Sequence, residues 1–408
     1  MERKLDNGLT VLLRPVEGAK QVAVVTLFSI GNDHDPQGMC GLAHLVEHLY
    51  SCCAAGDTQP RTVEQFMRLY PAGWNACTGD DFTVYATVCP RPSLAGELAD
   101  AAARMGDLKV TGAEVDREKR RLTAEVQNMF GGIPSLAAMN LARQQVRPGA
   151  QGARRGGLPE QVNSITLADI QHRVKLYYKP RNAIVVVAGG FDIDQTRPLV
   201  ERLFGKLPPG EPVPAPRPLH DPALGKTLTV KVKPNQPGQT PQVRIAYPAP
   251  RPDDPLYPSF LILVTRLVVA QAASGPAAAH RVNFAPLDDP AVLSIGAAPQ
   301  AREEPQATVE RLIALVARLA EDPLRPVDVQ STLNGLGNLL GLSDLPDSVW
   351  AGNPYGLAFS FGRRHQMGFD AGKIRKAVEA TTLENLRKAA GELFDAKRRV
   401  AVIVQQGD

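Results

Sequence analysis

The chain has 408 residues, 44% of them hydrophobic and 22% charged, a composition that fits a folded protein of about two to three domains. Its net charge of +4 is small for that length, which argues against a nucleic-acid-binding role and makes runs such as Arg363-Arg364 and Lys397-Arg398-Arg399 solvated surface. No apolar run approaches the roughly 18 residues that a membrane-spanning helix needs, so no membrane role is expected.

The segment from Met1 to Gly8 leads directly into a strand without an apolar signal stretch, and the expected compartment is the cytoplasm. The five cysteines, Cys40, Cys52, Cys53, Cys77 and Cys89, lie in the first quarter with no C-x-x-C spacing. Their odd number argues against a complete disulfide framework, and free thiols are expected. His34 reads as a turn residue ahead of the next motif.

His44, Glu47 and His48 form an H-x-x-E-H motif. On a helix, residues four apart share a face, so both imidazoles can reach one ion while Glu47 lies beside it. Zn²⁺ accepts imidazole nitrogen, and in hydrolytic sites about three protein ligands leave one position for a water whose pKa falls to about 7. A neighbouring carboxylate can take that water's proton and pass it to a leaving amine, the role expected of Glu47. The expected cofactor is therefore one Zn²⁺ per chain.

Residues 114–128 read as a charged helix with Val115, Leu122 and Val126 as its buried stripe. Glu118 and Glu125 are seven apart, two helical turns, so both project from one side. The proline-rich stretch from Leu207 to Pro218 reads as a stiff extended linker and prompts a search for duplication. Ile165-Thr-Leu-Ala-Asp and the following Ala183 to Ala188 match Thr381-Thr-Leu-Glu-Asn and Val400 to Val404 at an offset of 216 residues. The openings match less closely, Leu9-Thr-Val11 against Leu228-Thr-Val230. The expected organisation is an N-terminal α+β domain at 1–207 carrying the zinc site, a linker at 208–225, and a C-terminal α+β domain at 226–408 without metal ligands. The glycine- and aromatic-rich segment from Ala351 to Gly362 reads as a loop. His172, His220, His280 and His365 read as structural or exposed.

The motif, the charged helix and the spacing between them together resemble the pitrilysin and mitochondrial-processing-peptidase family of zinc proteases. That resemblance implies a third ligand after 76 intervening residues beyond the second histidine, which is Glu125, and a supporting carboxylate seven residues earlier, which is Glu118. The stretch from Leu5 to Arg14 resembles the family's opening hairpin, and Gly31 to Gly41 its approach to the motif. Gly73-Trp-Asn75-Ala76-Cys-Thr78 with Thr83 and Tyr85 resembles a strand that pairs with substrate, which implies Asn75 and Ala76 as substrate contacts. The fold implied is α+β, with two related halves, each a mostly antiparallel sheet packed against helices, together forming half of a clam-shell chamber.

One family feature is missing. An Arg followed seven positions later by a Tyr grips substrate in the family, but here Arg281 is followed by Asp288, and no Tyr lies between Tyr257 and Tyr355. A homologous zinc-less subunit supplying that pair is the expected partner. The expected activity is then zinc endopeptidase cleavage of extended or unfolded peptides, as the catalytic subunit of a heterodimer; a homodimeric peptidase and a non-proteolytic scaffold are the alternatives.

Overall fold

A computed structural model describes residues 1–71, 73–147, 156–216, 222, 224–233, 240–273, 280–288, 291–340 and 352–407, with the backbone alone at Val63 and 336–340. His220 and part of the linker lie outside the described residues. The chain forms two compact units that do not follow a single cut along the sequence. The first comprises Met1–Thr123, Gly156–Arg217 and Leu340–Gly368; the second comprises Ala124–Arg155, Pro218–Leu339 and Phe369–Asp408.

In the first unit the strands in chain order are β1 (Glu2–Lys4), β2 (Thr10–Pro15), β3 (Gln21–Phe28), β4 (Ala54–Ala55), β5 (Trp74–Thr78), β6 (Thr83–Pro90), β7 (Leu108–Lys109) and β8 (Ala183–Gly189). Strands β4 and β7 make a short ladder of their own, and the other six form one sheet in the order β1-β2-β8-β3-β6-β5. Every neighbouring pair in it is antiparallel except β2 with β8. Both faces of the central strands are covered, which is why β3 and β8 read as nearly unbroken apolar runs. Ala23, Val25 and Leu27 of β3 share a core with Ile184, Val186 and Ala188 of β8 and with Leu357 and Ala358. Helices α1 (Leu42–Cys52), α2 (Val63–Leu69), α3 (Leu94–Gly106) and α4 (Gly112–Gln127) follow in the chain, with α1 against β5 and β6 and α3 against β3 and β6.

Leu357 and Ala358 belong to a helix, Pro354–Met367, where the sequence reading expected a loop. Asn353 caps it by accepting the Gly356 N–H at 2.9 Å, and Pro354 opens its first turn. Its glycines serve packing as well as turns: a Cβ at Gly362 would lie 3.0 Å from the Val186 side chain. Burial of the apolar side against the sheet overrides the weak helix propensity of a glycine-bearing segment.

The second unit holds a five-stranded sheet built from β9 (Lys226–Val232), β10 (Gln242–Pro248), β11 (Arg281–Asn283), β12 (Val292–Ala297) and β13 (Val400–Gln406), ordered β11-β12-β10-β13-β9. Helix α5 (Pro134–Val146) packs on it through Ala137, Ala138 and Ala142 against Ala246, Val292 and Val402. A helix from the first half of the chain thus covers the second sheet, and one from the second half covers the first.

The two halves are related in detail. Helix Leu167–Tyr177, capped by Thr166 with Asp169, reappears 216 residues later as Leu383–Leu393, capped by Thr382 with Asn385. Parallel register repeats at the same offset, Thr10 opposite Ile184 and Lys226 opposite Val400. The equivalent of Thr10 is therefore Lys226, three residues before the Thr229 that matching letters alone suggested. Among the described residues no helix is long and apolar enough to cross a membrane.

Candidate metal centre

The motif helix α1 starts at Gly41, whose φ of 101° and close approach to Gly157 Cα, 3.0 Å from an added Cβ, both require glycine. The first turn is held from outside. Asp35 accepts the N–H groups of Gly41 at 2.8 Å and Ala43 at 2.9 Å, and Arg173, only 3% exposed, pairs with it at 3.4 Å while donating to the His34 carbonyl at 2.8 Å. A carboxylate at this end also suits the positive pole of the helix dipole.

Burial pushes the Asp35 carboxyl up to about 6, against the opposing pull of Arg173 and the N–H donors. Burial, aided by the Arg173 charge, lowers His34 to about 4. The two act oppositely on stability. His34 contributes fully above about pH 6.5, and that contribution is lost as pH falls toward 4. Asp35 favours the fold most below about pH 3.8 and loses that contribution as pH rises through 6. Changing His34→Asn should therefore raise the melting temperature relative to wild type progressively between pH 6.5 and 4. Parallel Tm-versus-pH curves for the two zinc-free proteins would contradict this assignment.

The motif side chains converge as the spacing predicts. Ligand atoms of His44, Glu47 and His48 lie within 4.8 Å of one another, the one such group among the described residues able to hold a metal. His44 Nδ1 lies 3.1 Å from the Gly156 carbonyl, which requires an Nδ1–H and leaves Nε2 as the metal-binding atom. His48 Nδ1 lies 3.3 Å from Glu118 Oε2, giving the same orientation. Hydrogen-bond partners of this kind behind both rings are what a zinc-binding histidine pair needs, so these residues fit the ion.

Glu118 is 1% exposed and also receives Arg117 Nε at 3.0 Å and Arg121 at 2.8 Å. Burial alone would raise its carboxyl; the bonds from His48 and Arg117, with the Arg121 charge, outweigh that and hold it below the usual range. Glu47 is buried, and Thr78 Oγ1 of β5 donates to its Oε2 at 2.8 Å. Thr78 was not singled out for this role in the sequence. Alternation along β5 was the available signal, since Thr78 shares the face of Trp74 and Ala76.

The main chain of β5 divides in the same way. Gly79 N–H bonds to the Phe82 carbonyl and Val88 N–H to the Gly73 carbonyl, each at 2.8 Å. Counting between these along the register makes Cys77 with Val84 and Asn75 with Ala86 the hydrogen-bonded pairs. Trp74, Ala76 and Thr78 then aim their N–H and C=O groups away from β6, and β5 has no second neighbour among the described residues. Asn75 turns its side chain to the opposite face, where Nδ2 donates to Tyr355 Oη at 2.9 Å. The hairpin tip is pinned from the same helix by Arg363, which is fully buried and not the solvated surface residue expected from the sequence: it pairs with Asp81 at 3.1 Å and lies 4.1 Å from the centre of the Phe82 ring.

Glu125 is exposed on α4, two turns beyond Glu118, and is not part of the three-residue group. Val115, Leu122 and Val126 form the buried stripe of α4 as expected. In the second unit Arg281 is exposed and Asp288 pairs with Arg143 at 3.1 Å. His280 is buried, with Nε2 3.3 Å from the Leu267 carbonyl, and His365 lies 3.5 Å from Glu2. All five cysteines are free thiols.

The chain matches the family description "Insulinase (Peptidase family M16)" over residues 10–150 and "Peptidase M16 inactive domain" over residues 164–336. It is 27% identical over 208 residues to "Zinc protease PqqE" of Helicobacter pylori, covering 50% of this chain and 46% of that protein. It is 25% identical over 214 residues to "Mitochondrial-processing peptidase subunit beta" of Blastocladiella emersonii, covering 51% and 44%. The chain thus spans about half the length of the curated relatives it matches. Among solved structures, a protease from Helicobacter pylori shares the fold with a TM-score of 0.80 at 19% identity, over 99% of both chains. With consecutive M16 matches along both halves and the H-x-x-E-H group on a buried helix, the chain belongs to the M16 peptidases, the pitrilysin family.

Proposed function

We propose that this chain is a zinc-dependent endopeptidase that hydrolyses extended or unfolded peptides. The observation that carries the reading is the convergence of His44, Glu47 and His48 within 4.8 Å, with the outer nitrogens of both histidines already engaged. His44, His48 and Glu125 are the proposed zinc ligands. When bound, the ion would polarise the scissile carbonyl and lower the pKa of the attacking water. Glu47 would take that water's proton and deliver it to the leaving nitrogen, with Thr78 fixing its carboxylate. Glu118 would act through His48, setting its ring orientation and basicity.

Peptide would bind as an added strand along β5, with main-chain bonds to Ala76 and the outward-facing Trp74 and Thr78 and with Asn75 meeting a substrate side chain. We further propose that the reaction runs in an enclosed chamber completed by a homologous zinc-less subunit that supplies an Arg/Tyr pair. The relative described as a subunit supports that arrangement by analogy. Free thiols accord with a reducing compartment, proposed to be the cytoplasm.

The test is cleavage of a quenched peptide library by the purified chain, alone and with its homologous partner, with bound zinc quantified. Chelation should abolish cleavage and added zinc restore it. Cleavage by the chain alone would favour a homodimer, and zinc binding without cleavage in either condition would favour a scaffold. Glu118→Gln should weaken zinc about 10–100-fold in competition with a chromogenic chelator; unchanged affinity would remove Glu118 from the site.

A further inference from the structure

Asn75 is exposed on β5, and the sheet edge beside it carries no further strand among the described residues. Alternation along β5 turns its side chain to the face away from Thr78 and Glu47, the face that helix Pro354–Met367 covers. There Asn75 Nδ2 donates to Tyr355 Oη at 2.9 Å, across 280 positions of sequence. A residue of the first half's edge strand is thus tied to a helix supplied by the second half of the chain.

The Tyr355 ring is held in place independently of that bond. It stacks on Phe359 with ring centres 6.2 Å apart, and Phe359 lies 6.0 Å from Phe82, whose ring Arg363 covers. A phenylalanine would pack in the same way. What the hydroxyl adds, among the described residues, is its bond to Asn75. The amide is changed by it: an exposed side chain on an edge strand otherwise samples several rotamers, and tying Nδ2 down fixes one of them. Oδ1 and the second N–H of Asn75 are left without a partner among the described residues, one acceptor and one donor on an exposed side chain.

We infer that Tyr355 is a positioning residue for peptide binding, its hydroxyl fixing the Asn75 amide so that the remaining donor and acceptor meet a peptide lying along β5. This inference rests on the peptide-binding reading above. A side chain that is already ordered loses little rotamer freedom when the peptide arrives, so the bond acts as preorganisation. Because Asn75 and Tyr355 lie on the face away from Glu47, the effect falls on the binding of peptide and not on proton transfer at the metal.

The experiment is kinetics of the zinc-loaded full chain on one quenched peptide. Tyr355→Phe should raise KM about 3–10-fold while kcat stays within about twofold. Asn75→Ala should raise KM at least as much, and the double variant should do no more than Asn75→Ala alone, because the hydroxyl acts only through the amide. A KM unmoved by Tyr355→Phe, or additive effects of the two substitutions, would overturn the inference. So would a fall in kcat alone, which would put the hydroxyl at the reacting atoms. The same comparison is made without turnover, by anisotropy of the labelled peptide on chains that also carry Glu47→Gln. The expected affinity ratio there, with no cleavage by the wild-type chain, rejects the peptidase reading and leaves the role of Tyr355 standing; binding with an unmoved ratio overturns that role alone, and no binding overturns both.

Discussion

Replacing Glu47 with Gln is expected to lower peptide hydrolysis by about 10²–10⁴-fold while zinc remains bound. Gln keeps the length and planarity of the side chain, and its carbonyl oxygen can still accept from Thr78 Oγ1, now at 2.8 Å from Glu47. What it loses is the capacity to hold a proton. Because Glu47 lies on α1 between the two histidines and is not itself a proposed ligand, metal content and melting temperature should barely change. Turnover number, zinc content and Tm measured on one preparation separate these possibilities. Retained cleavage would dismiss Glu47 as the base, while lost zinc would show that the side chain ligates the ion.

The largest effect on stability is expected from Asp35→Ala, which should cost about 3–5 kcal/mol. This carboxylate is buried, holds two N–H groups at the start of α1, and is the ion partner of an arginine that is 3% exposed. Truncation would leave Arg173 charged in a low-dielectric position with its His34 carbonyl bond as partial compensation. Urea unfolding of the zinc-free protein gives the figure directly. A loss below about 1 kcal/mol would mean that Arg173 finds water or another partner, as surface ion pairs do. Since α1 carries both histidines, fraying of its first turn should also weaken zinc binding more than the distance from Asp35 to the motif would imply.

Much of the site was legible because local periodicity determines it. The i to i+4 spacing of His44 and His48 needs only a helix to become a shared face, and the buried stripe Val115, Leu122 and Val126 follows from the same 3.6-residue repeat. The 216-residue offset was legible because helix caps and strand starts repeat letter by letter, as at Thr166 and Thr382. What stayed hidden depends on contacts far apart in sequence. Tyr355 and Arg363 sit about 280 residues from Asn75 and Asp81, and no local pattern announces that they meet. The helix that carries them looks like a loop from its glycines, one of which, Gly362, permits close approach to Val186 of the sheet.

The exchange of covering helices between the two halves constrains the order in which the molecule can mature. A ribosome that has released residues 1–207 has delivered every strand of the first sheet, yet Leu12, Val25, Leu27 and Val186 still lack Leu357 and Ala358. Their closing partner arrives only after most of the second sheet has been made. The first half therefore spends much of its synthesis with an apolar face uncovered, a state prone to association with other chains or capture by chaperones. For the same reason a proteolytic cut in the proline-rich stretch would not release two self-sufficient domains, since each fragment would take with it the helix that the other needs.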